Sequence, residues 1–581
     1  MRTAMSSIPG LMLESANRFN KSGAFQFKES GRWVEVSTSQ FAARVETLFH
    51  GLGAFGVQAG DRVAILSENR LEWAICDYAI QSLGGIVVPV YPTLSSVQIE
   101  HLLKDCEARL VFVSGPETLE KVIVPRKRLP DLKFIVTFDR KTCQPGVLGL
   151  ETLFNVGRQG VADRPEDFRR AIARLSPEDV ATIIYTSGTT GIPKGAMLTH
   201  RNLVSNVLAT LDVLPLNETD VGLSFLPLSH IFQRHVDYAA MSAGATIAYA
   251  EGLNKVVDNM TEVRPTFAAG VPRFFEKVRA GILAQVGNGT AARRAVFNWA
   301  MRSAPAGAGH RLADRLVFRK IRARLGGRLR WFISGGAALE KEVAEFFFAI
   351  GLPILEGYGL TETSPVICFN RPEQARIGSV GKPVGDVEVR IASDGEILVR
   401  GSNVMKGYFR RPKETGEALR DGWFHTGDVG VLSGDGFLQI TDRKKDLIVT
   451  STGKNIAPQP IENRLKLVPF FENVVLIGDR RNFITALVVP DLDALSAFAR
   501  ANGIPFREPR ELLRSETVLE LAMREVEKKT EDLADYEKIR KIAFLESPFT
   551  ISSGELTPTL KVKRSVVEEK FRARIDELYA A

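Results

Sequence analysis

The sequence predicts an α/β protein: a large N-terminal domain of mostly parallel, helix-covered sheets with a small β-rich subdomain, followed by a small α+β C-terminal domain. Three observations predict it. The chain has 581 residues, more than one ordinary domain holds and enough to bury large cores. Its first part alternates strand-type and helix-type patterns, the signature of parallel sheets covered by helices. After Gly378 the texture changes to short strands with frequent glycine turns, and it changes again after the charged stretch Thr441 to Lys445.

The elements follow in order. Val45 to Phe55 has helical periodicity and closes at Gly56, and Arg62 to Leu66 is a short apolar strand after the Gly60-Asp61 turn. Leu71 to Ser82 reads as helix and Gly85 to Val90 as a buried strand with Pro92 beyond; Val97 to Asp105 and Leu110 to Val113 repeat the unit. In the β-rich part, Val387 to Ile391, Glu396 to Arg400 and Gly436 to Ile440 are the expected strands. Farther on, Val474 to Ile477 and Ile484 to Val489 are expected to pair as a hairpin, and Thr517 to Lys528 and Ser565 to Leu578 carry helical periodicity. There is no internal repeat. The expected domains are 1–441, with the β-rich part at 378–441, and 447–581, joined through 442–446.

Composition narrows the class. The chain is 45% apolar and 25% charged, and no stretch approaches the roughly 18 apolar residues of a membrane span. Met1 to Phe19 lacks a basic-then-apolar signal, so a cytoplasmic protein is expected. Cys76, Cys106, Cys143 and Cys368 lie far apart without CxxC spacing, which reads as reduced thiols and not as a disulfide or zinc framework. The net charge of +8 is uneven: residues 274–330 hold 13 Lys/Arg against Glu276 and Asp314, an excess of +11. That segment has two readings. One is a solvated helical surface; the other is a patch for anionic phosphates, of a phosphorylated cofactor or of a membrane touched peripherally at its inner face. Nucleic acid is not expected as a partner, because no recognition motif accompanies the charge.

Val180 to Tyr185 is a β-branched run leading into Thr186-Ser187-Gly188-Thr189-Thr190-Gly191-Ile192-Pro193-Lys194-Gly195, after which Leu203, Val204, Val207, Leu208 and Leu211 form a helical stripe. Strand, Gly/Ser/Thr loop with a lysine, then helix is an arrangement that wraps phosphate: glycines admit main-chain N–H groups, hydroxyls add donors and lysine adds charge. It is not the P-loop signature, since glycine follows Lys194 and the glycine spacing differs. The bland alternative is a flexible connection.

With this loop the sequence resembles the acyl-activating (adenylate-forming) superfamily, and six further motifs carry the resemblance in order. They are Pro227 to His230, Ser334 to Ala337, Glu356 to Thr363, Gly422 to Asp428, Asp442 to Asp446 and Thr557 to Arg564. The wording of residues 325–330 and of Leu556 to Lys561 resembles the AMP-forming long-chain fatty acid–CoA ligase branch. The resemblance implies ATP, Mg2+ and CoA as cofactor and co-substrates, and a fatty acid activated through an acyl-adenylate. Three alternatives stand beside it: an adenylation module feeding a carrier protein, a fatty acyl-AMP ligase that stops before CoA and loads an acyl carrier protein, and a non-catalytic membrane or acyl-ligand binding protein.

The resemblance also implies roles. Thr186, Ser187, Gly188, Thr189, Thr190 and Lys194 would hold the β- and γ-phosphates. Glu362 would bind Mg2+, and Thr361 would bond the α-phosphate. Gly335, Gly336, Ala337 and Tyr358 would frame the adenine, and Glu356 and Gly357 would belong to the nucleotide site. Asp428 and Arg443 would take the ribose hydroxyls, an ionised carboxylate being an acceptor for both. His230 would guide the carboxylate or thiol beside an apolar acyl tunnel near Phe232. Lys561 would reach the α-phosphate and acyl carboxylate from a mobile C-terminal domain, which turns about Lys445 to bring the Gly453-Lys454-Asn455 loop in for thioester formation.

Overall fold

Two packed sheets organise most of the chain. The computed structural model describes residues 6–142, 144–186, 193–303, 307–451, 453–557 and 561–580. One sheet has eight strands in the spatial order Val147–Gly149, Phe134–Thr137, Leu110–Val113, Arg62–Leu66, Ile86–Val90, Val180–Thr186 (β1), Lys194–Thr199 (β2) and Gly407–Tyr408. Its pairs are parallel up to β1, then antiparallel through β2 to Gly407–Tyr408. The other has nine, in the order Arg32–Val36, Phe25–Glu29, Thr246–Tyr249, Val221–Ser224, Phe267–Gly270, Trp331–Ser334 (β3), Ile354–Gly359 (β4), Val366–Phe369 and Lys382–Pro383. Its central pairs are parallel. Strands such as Leu110–Val113 and Trp331–Ser334 are buried at every position, as strands covered on both faces must be.

The helix Leu71–Ser82 (α1) and the strands Arg62–Leu66 and Leu110–Val113 keep the bounds read from the sequence. The helix expected from Val45 starts earlier, at Thr38, because Ser37 and Gln40 close a capping box. One expectation is corrected. The loop after β1 does not run into a helix: Lys194–Thr199 pairs antiparallel with β1, Thr186 opposite Lys194. The helix His200–Val213 (α2), carrying the Leu203 to Leu211 stripe, begins only after Thr199 caps it. The helix N-terminus is thus a whole strand away from Lys194. The phosphate-type loop is a hairpin connection, with Ser187 to Ile192 outside the described residues.

By compactness the chain divides in two. Residues 1–390, 398–426 and 432–439 form one unit; 391–397, 427–431 and 440–581 form the other. The short strands of the β-rich part, Glu388–Ile391, Glu396–Arg400, Trp423–Leu432 and Leu438–Arg443, contribute to both segment sets. In the second unit Phe471–Ile477 pairs antiparallel with Ile484–Pro490, the expected hairpin, and Ile539–Phe544 adds in parallel. Period-2 alternation covers both faces of this sheet. Val474, Leu476, Ala486 and Val488 pack with Val518, Ala522 and Val526 of the helix Glu516–Lys529. Val475, Ile477, Leu487 and Val489 pack with Val567 and Ile575. The last helical stretch is broken at Phe571 into Arg564–Lys570 and Arg572–Tyr579, where φ −106° and ψ 21° leave helical geometry.

Candidate functional site

In the first unit the two ends of the loop are tied together. Thr186 Oγ1 donates to the Lys194 carbonyl at 3.4 Å. Tyr185 donates its phenol to Asp105 Oδ2 at 2.6 Å. Burial, with the nearby Cys106 and Asp105, pushes that phenol far up, so it stays protonated. The two-residue strand Gly407–Tyr408 (β5) lies against β2, with Gly407 opposite Met197 and Tyr408 opposite Ala196. Phe409 N–H donates to the Gly195 carbonyl at 2.7 Å. The Lys194 ammonium stands over the Tyr408 ring, 5.4 Å from its centroid. The Tyr408 hydroxyl donates to Glu362 Oε1 at 2.9 Å. Lys194 and Glu362, apart in sequence, therefore meet through Tyr408. No motif reading singled out that tyrosine; its signal, a Gly-Tyr pair, is too common to stand out.

Glu362 is buried at 8% exposure in a short 3-10 turn, Thr361–Thr363, that follows β4. Met405 N–H donates to its carbonyl at 2.8 Å, and Asn403 Nδ2 donates to the Thr363 and Val366 carbonyls at 3.0 Å each. Thr361 sits half-buried at the head of the same turn. Gly359, two residues before it, could not be another residue: a Cβ there would lie 1.7 Å from the Pro365 carbonyl oxygen. On β4, Tyr358 is half-buried opposite Cys368, and Gly357 faces the Phe369 ring. Glu356 is buried and its carboxyl is pushed up to about 7 by that burial, opposed by the main-chain N–H groups of Leu339 and Gly378. Its carboxyl thus faces two loops of the protein.

After β3, Gly335 is buried while Gly336 and Ala337 are exposed. The Phe232 ring packs where a Gly335 side chain would go, 3.2 Å from its ideal Cβ position. Ser334 Oγ beside it is buried and has no hydrogen-bond partner among the described residues. His230 caps the helix Ile231–Ser242 (α3), its Nδ1 accepting the Phe232 N–H at 3.1 Å. A ring nitrogen that accepts a main-chain N–H carries no proton, so neutral His230 holds its hydrogen on Nε2.

In the second unit, Asp428 on the strand Trp423–Leu432 (β6) is buried at 4% exposure, and Arg443 Nε lies 3.0 Å from its Oδ1. Gly427 N–H donates to Glu396 Oε1 at 3.0 Å, and Lys444 reaches Asp394 at 2.6 Å and Glu396 at 3.2 Å. The predicted ribose pair is thus assembled on one small framework. Lys445 is exposed. Lys561 is exposed at the base of a loop: its N–H donates to Thr557 Oγ1 at 3.0 Å, and Thr557 N–H to its carbonyl at 2.8 Å. Ser187, Gly188, Thr189 and Thr190 lie outside the described residues.

The described residues contain no cluster of three His, Cys, Asp or Glu side chains that could cage a metal. Glu362 is a buried carboxylate that accepts a hydrogen bond from a phenol. Such a group fits a hard cation that takes its other ligands from phosphates and water, as Mg2+ does.

Residues 12–409 match the family described as AMP-binding enzyme, and residues 445–581 match the AMP-binding enzyme C-terminal domain. A long-chain-fatty-acid–CoA ligase of Mycobacterium tuberculosis is 38% identical over 565 residues, covering 94% of this chain and 93% of that protein. Human long-chain-fatty-acid–CoA ligase 1 is 33% identical, covering 92% of this chain and 82% of that protein. Among solved structures, the adenylation domain of a carboxylate reductase from Mycobacterium chelonae superposes with TM-score 0.77 at 23% identity, covering 100% of this chain and 92% of that one. A Mycobacterium tuberculosis fatty acyl CoA synthetase gives 0.65 at 23%, covering 98% and 99%. At that identity the two structures speak for the fold alone. The chain belongs to the AMP-binding (adenylate-forming) enzyme family, in its long-chain fatty acid–CoA ligase branch.

Proposed function

We propose that this enzyme is an AMP-forming acyl-CoA synthetase for a long-chain fatty acid. The observation that carries the reading is the junction at Tyr408, where the loop lysine and the buried Glu362 meet within a chain of this family. A carboxylate is a poor acyl donor because oxide would have to leave. Its oxygen attacks the α-phosphorus of ATP, the bond to the pyrophosphate oxygen breaks, and acyl-AMP forms. The CoA thiolate then attacks the acyl carbon and AMP leaves with the bonding pair. Both steps gather negative charge, which positioned cations and donors stabilise.

The roles follow the resemblance. Lys194, Thr186 and the loop residues Ser187, Gly188, Thr189 and Thr190 hold the departing phosphates, and Thr361 bonds the α-phosphate. Glu362 would hold Mg2+, and the ion when bound would supply positive charge beside the phosphates. Gly335 to Ala337 and Tyr358 frame the base, with Glu356 and Gly357 in the nucleotide site. Asp428 and Arg443 take the ribose, and Lys561 serves adenylation before the domain turns about Lys445. His230 donates from Nε2. The test is ATP–pyrophosphate exchange across acids from acetate to long-chain, followed by a free-CoA assay. Exchange confined to fatty acids, with acyl-CoA formed, supports the reading. Exchange without CoA consumption favours the acyl-AMP ligase, and no acid-dependent exchange sinks the enzyme.

A second reading concerns where it acts: on the cytoplasmic side, in peripheral contact with anionic lipid through residues 274–330. Arg279, Arg322 and Arg330 of that segment pair with Glu342, Asp314 and Asp220. Arg293, Arg294, Arg302, Arg311, Arg315 and Arg319 are exposed. Among them Val296, Trp299, Leu312 and Leu316 are 42–50% exposed, a combination suited to a headgroup interface. No helix of the described residues is long and apolar enough to cross a membrane. Binding to anionic vesicles that weakens with salt supports this contact; absent or salt-indifferent binding removes it.

A further inference from the structure

An ammonium and a carboxylate that share one tyrosine as a neighbour are candidates to pair with each other. Each would then be spent on its neighbour and withheld from a triphosphate or a metal. Among the described residues Lys194 and Glu362 make no ion pair; the Tyr408 ring lies under the one and its hydroxyl serves the other.

The main chain around Tyr408 is fixed at both ends. Met405 N–H bonds the Glu362 carbonyl at 2.8 Å, Lys406 N–H the Met197 carbonyl at 3.0 Å, and Phe409 N–H the Gly195 carbonyl at 2.7 Å. Tyr408 N–H itself donates to Thr415 Oγ1 at 2.9 Å. The ring is therefore set by a segment stitched to the strand after the loop and to the turn holding Glu362.

We propose that Tyr408 is a positioning residue that holds the loop cation and the Glu362 carboxylate apart as two separate charges, one for phosphate oxygens and one for the divalent cation. The ring face stabilises the ammonium without neutralising it. The hydroxyl occupies Oε1 and orients the carboxylate that would hold the metal, much as outer-sphere hydrogen bonds orient metal ligands elsewhere.

The inference rests on the synthetase reading, and the experiment separates the two. Tyr408→Phe keeps the ring under Lys194 and removes the hydroxyl; Tyr408→Leu removes both. The readouts are the free Mg2+ needed for half-maximal ATP–pyrophosphate exchange, KM for ATP and for fatty acid, and binding of the Mn2+ complex of a non-hydrolysable ATP analogue followed by the Mn2+ EPR line. Thermal melting of each variant accompanies them. Tyr408→Phe should raise half-saturating metal and weaken the Mn2+ complex on the order of tenfold, the scale of one hydrogen bond to a charged group. Its KM for fatty acid and its melting temperature should stay put. Tyr408→Leu should also raise KM for ATP at least tenfold beyond Tyr408→Phe, as Lys194 and Glu362 pair. If Tyr408→Phe matches the wild type within twofold in both metal readouts, or if both variants lose every parameter alike, the role is wrong. A wild type without acid-dependent exchange defeats the synthetase reading itself; an active wild type with an indifferent Tyr408→Phe defeats this inference alone.

Discussion

Replacing Asp77 by asparagine should unfold the large unit far more readily, although the change is isosteric. Asp77 on α1 and Arg234 on α3 are 1% exposed. The guanidinium reaches both carboxylate oxygens, with Nε 3.1 Å from Oδ2. It also bonds the Tyr238 hydroxyl at 2.8 Å and Thr182 Oγ1 at 2.9 Å. Tyr238 in turn donates to Asp77 at 2.6 Å, and Gln81 Nε2 does so at 2.9 Å. The neutral amide of Asp77→Asn would leave a buried guanidinium without a counter-charge, which costs about 3–5 kcal/mol. The intact pair is itself worth little against an apolar filling, because desolvation offsets its attraction. The double variant Asp77→Leu/Arg234→Met should therefore lose less than Asp77→Asn. It should lose about 1–3 kcal/mol for the partners left on Tyr238 and Gln81. The assay is guanidinium unfolding followed by tryptophan fluorescence. All five tryptophans, Trp33, Trp73, Trp299, Trp331 and Trp423, lie in the first unit, so the signal reports that unit. Trp73 itself faces Arg234, 5.5 Å from ring centroid to guanidinium carbon. With a slope of roughly 6 kcal/mol/M, Asp77→Asn should lower the midpoint by about 0.5–0.8 M. A double variant less stable than Asp77→Asn would refute the claim that an isolated buried charge is the cause. The pair bears on function because α3 starts with the His230 cap and carries Phe232 against Gly335.

Lys561→Ala should cut adenylation on the order of 10²–10³, the scale for one transition-state donor. Thioester formation from supplied acyl-AMP should survive, and a parallel fall in both half-reactions would contradict the two-conformation assignment. Nitrogen NMR of the labelled protein should place the His230 proton on Nε2, and His230→Gln, which keeps a donor there, should retain more adenylation than His230→Leu; a spectrum with the proton on Nδ1 would overturn that assignment. Burial raises Asp237 to about 7 despite hydrogen bonds from Gln233 and Ser224. A carboxyl raised in the folded state contributes stability that is present below its unfolded value and lost as pH rises through the folded one. Asp237→Asn should thus gain on the wild type between pH of about 4 and 7, by up to about 4 kcal/mol; a pH-independent difference in the unfolding midpoint would exclude Asp237 as the source.

Much of this protein is written locally. The strands Arg62–Leu66 and Leu110–Val113 and the helix Leu71–Ser82 are legible because each is an uninterrupted apolar or periodic run between clear turn signals. The Ser37/Gln40 capping box is equally local, yet the densest apolar stripe, from Val45, points to a later helix start than the one the cap sets. The motifs from Tyr185 to Arg564 name the family because catalysis needs particular residue types at particular short spacings. Tertiary structure decided what pairs over distance. Lys194 to Thr199 has too little periodicity to choose helix or strand by itself; hydrogen bonds to β1 made it a strand and moved the helix N-terminus away from the lysine. Asp77 and Arg234 are two ordinary charges until the packing of α1 against α3 buries them together. Tyr408 gains its place between Lys194 and Glu362 from the pairing of β5 with β2 and from the main-chain bond of Met405 to Glu362. Sequence by itself determined which chemistry the chain carries, since chemistry follows residue type. Which charges are kept apart and which are joined was settled by the fold, since electrostatics depends on distance and burial that no short window of residues encodes.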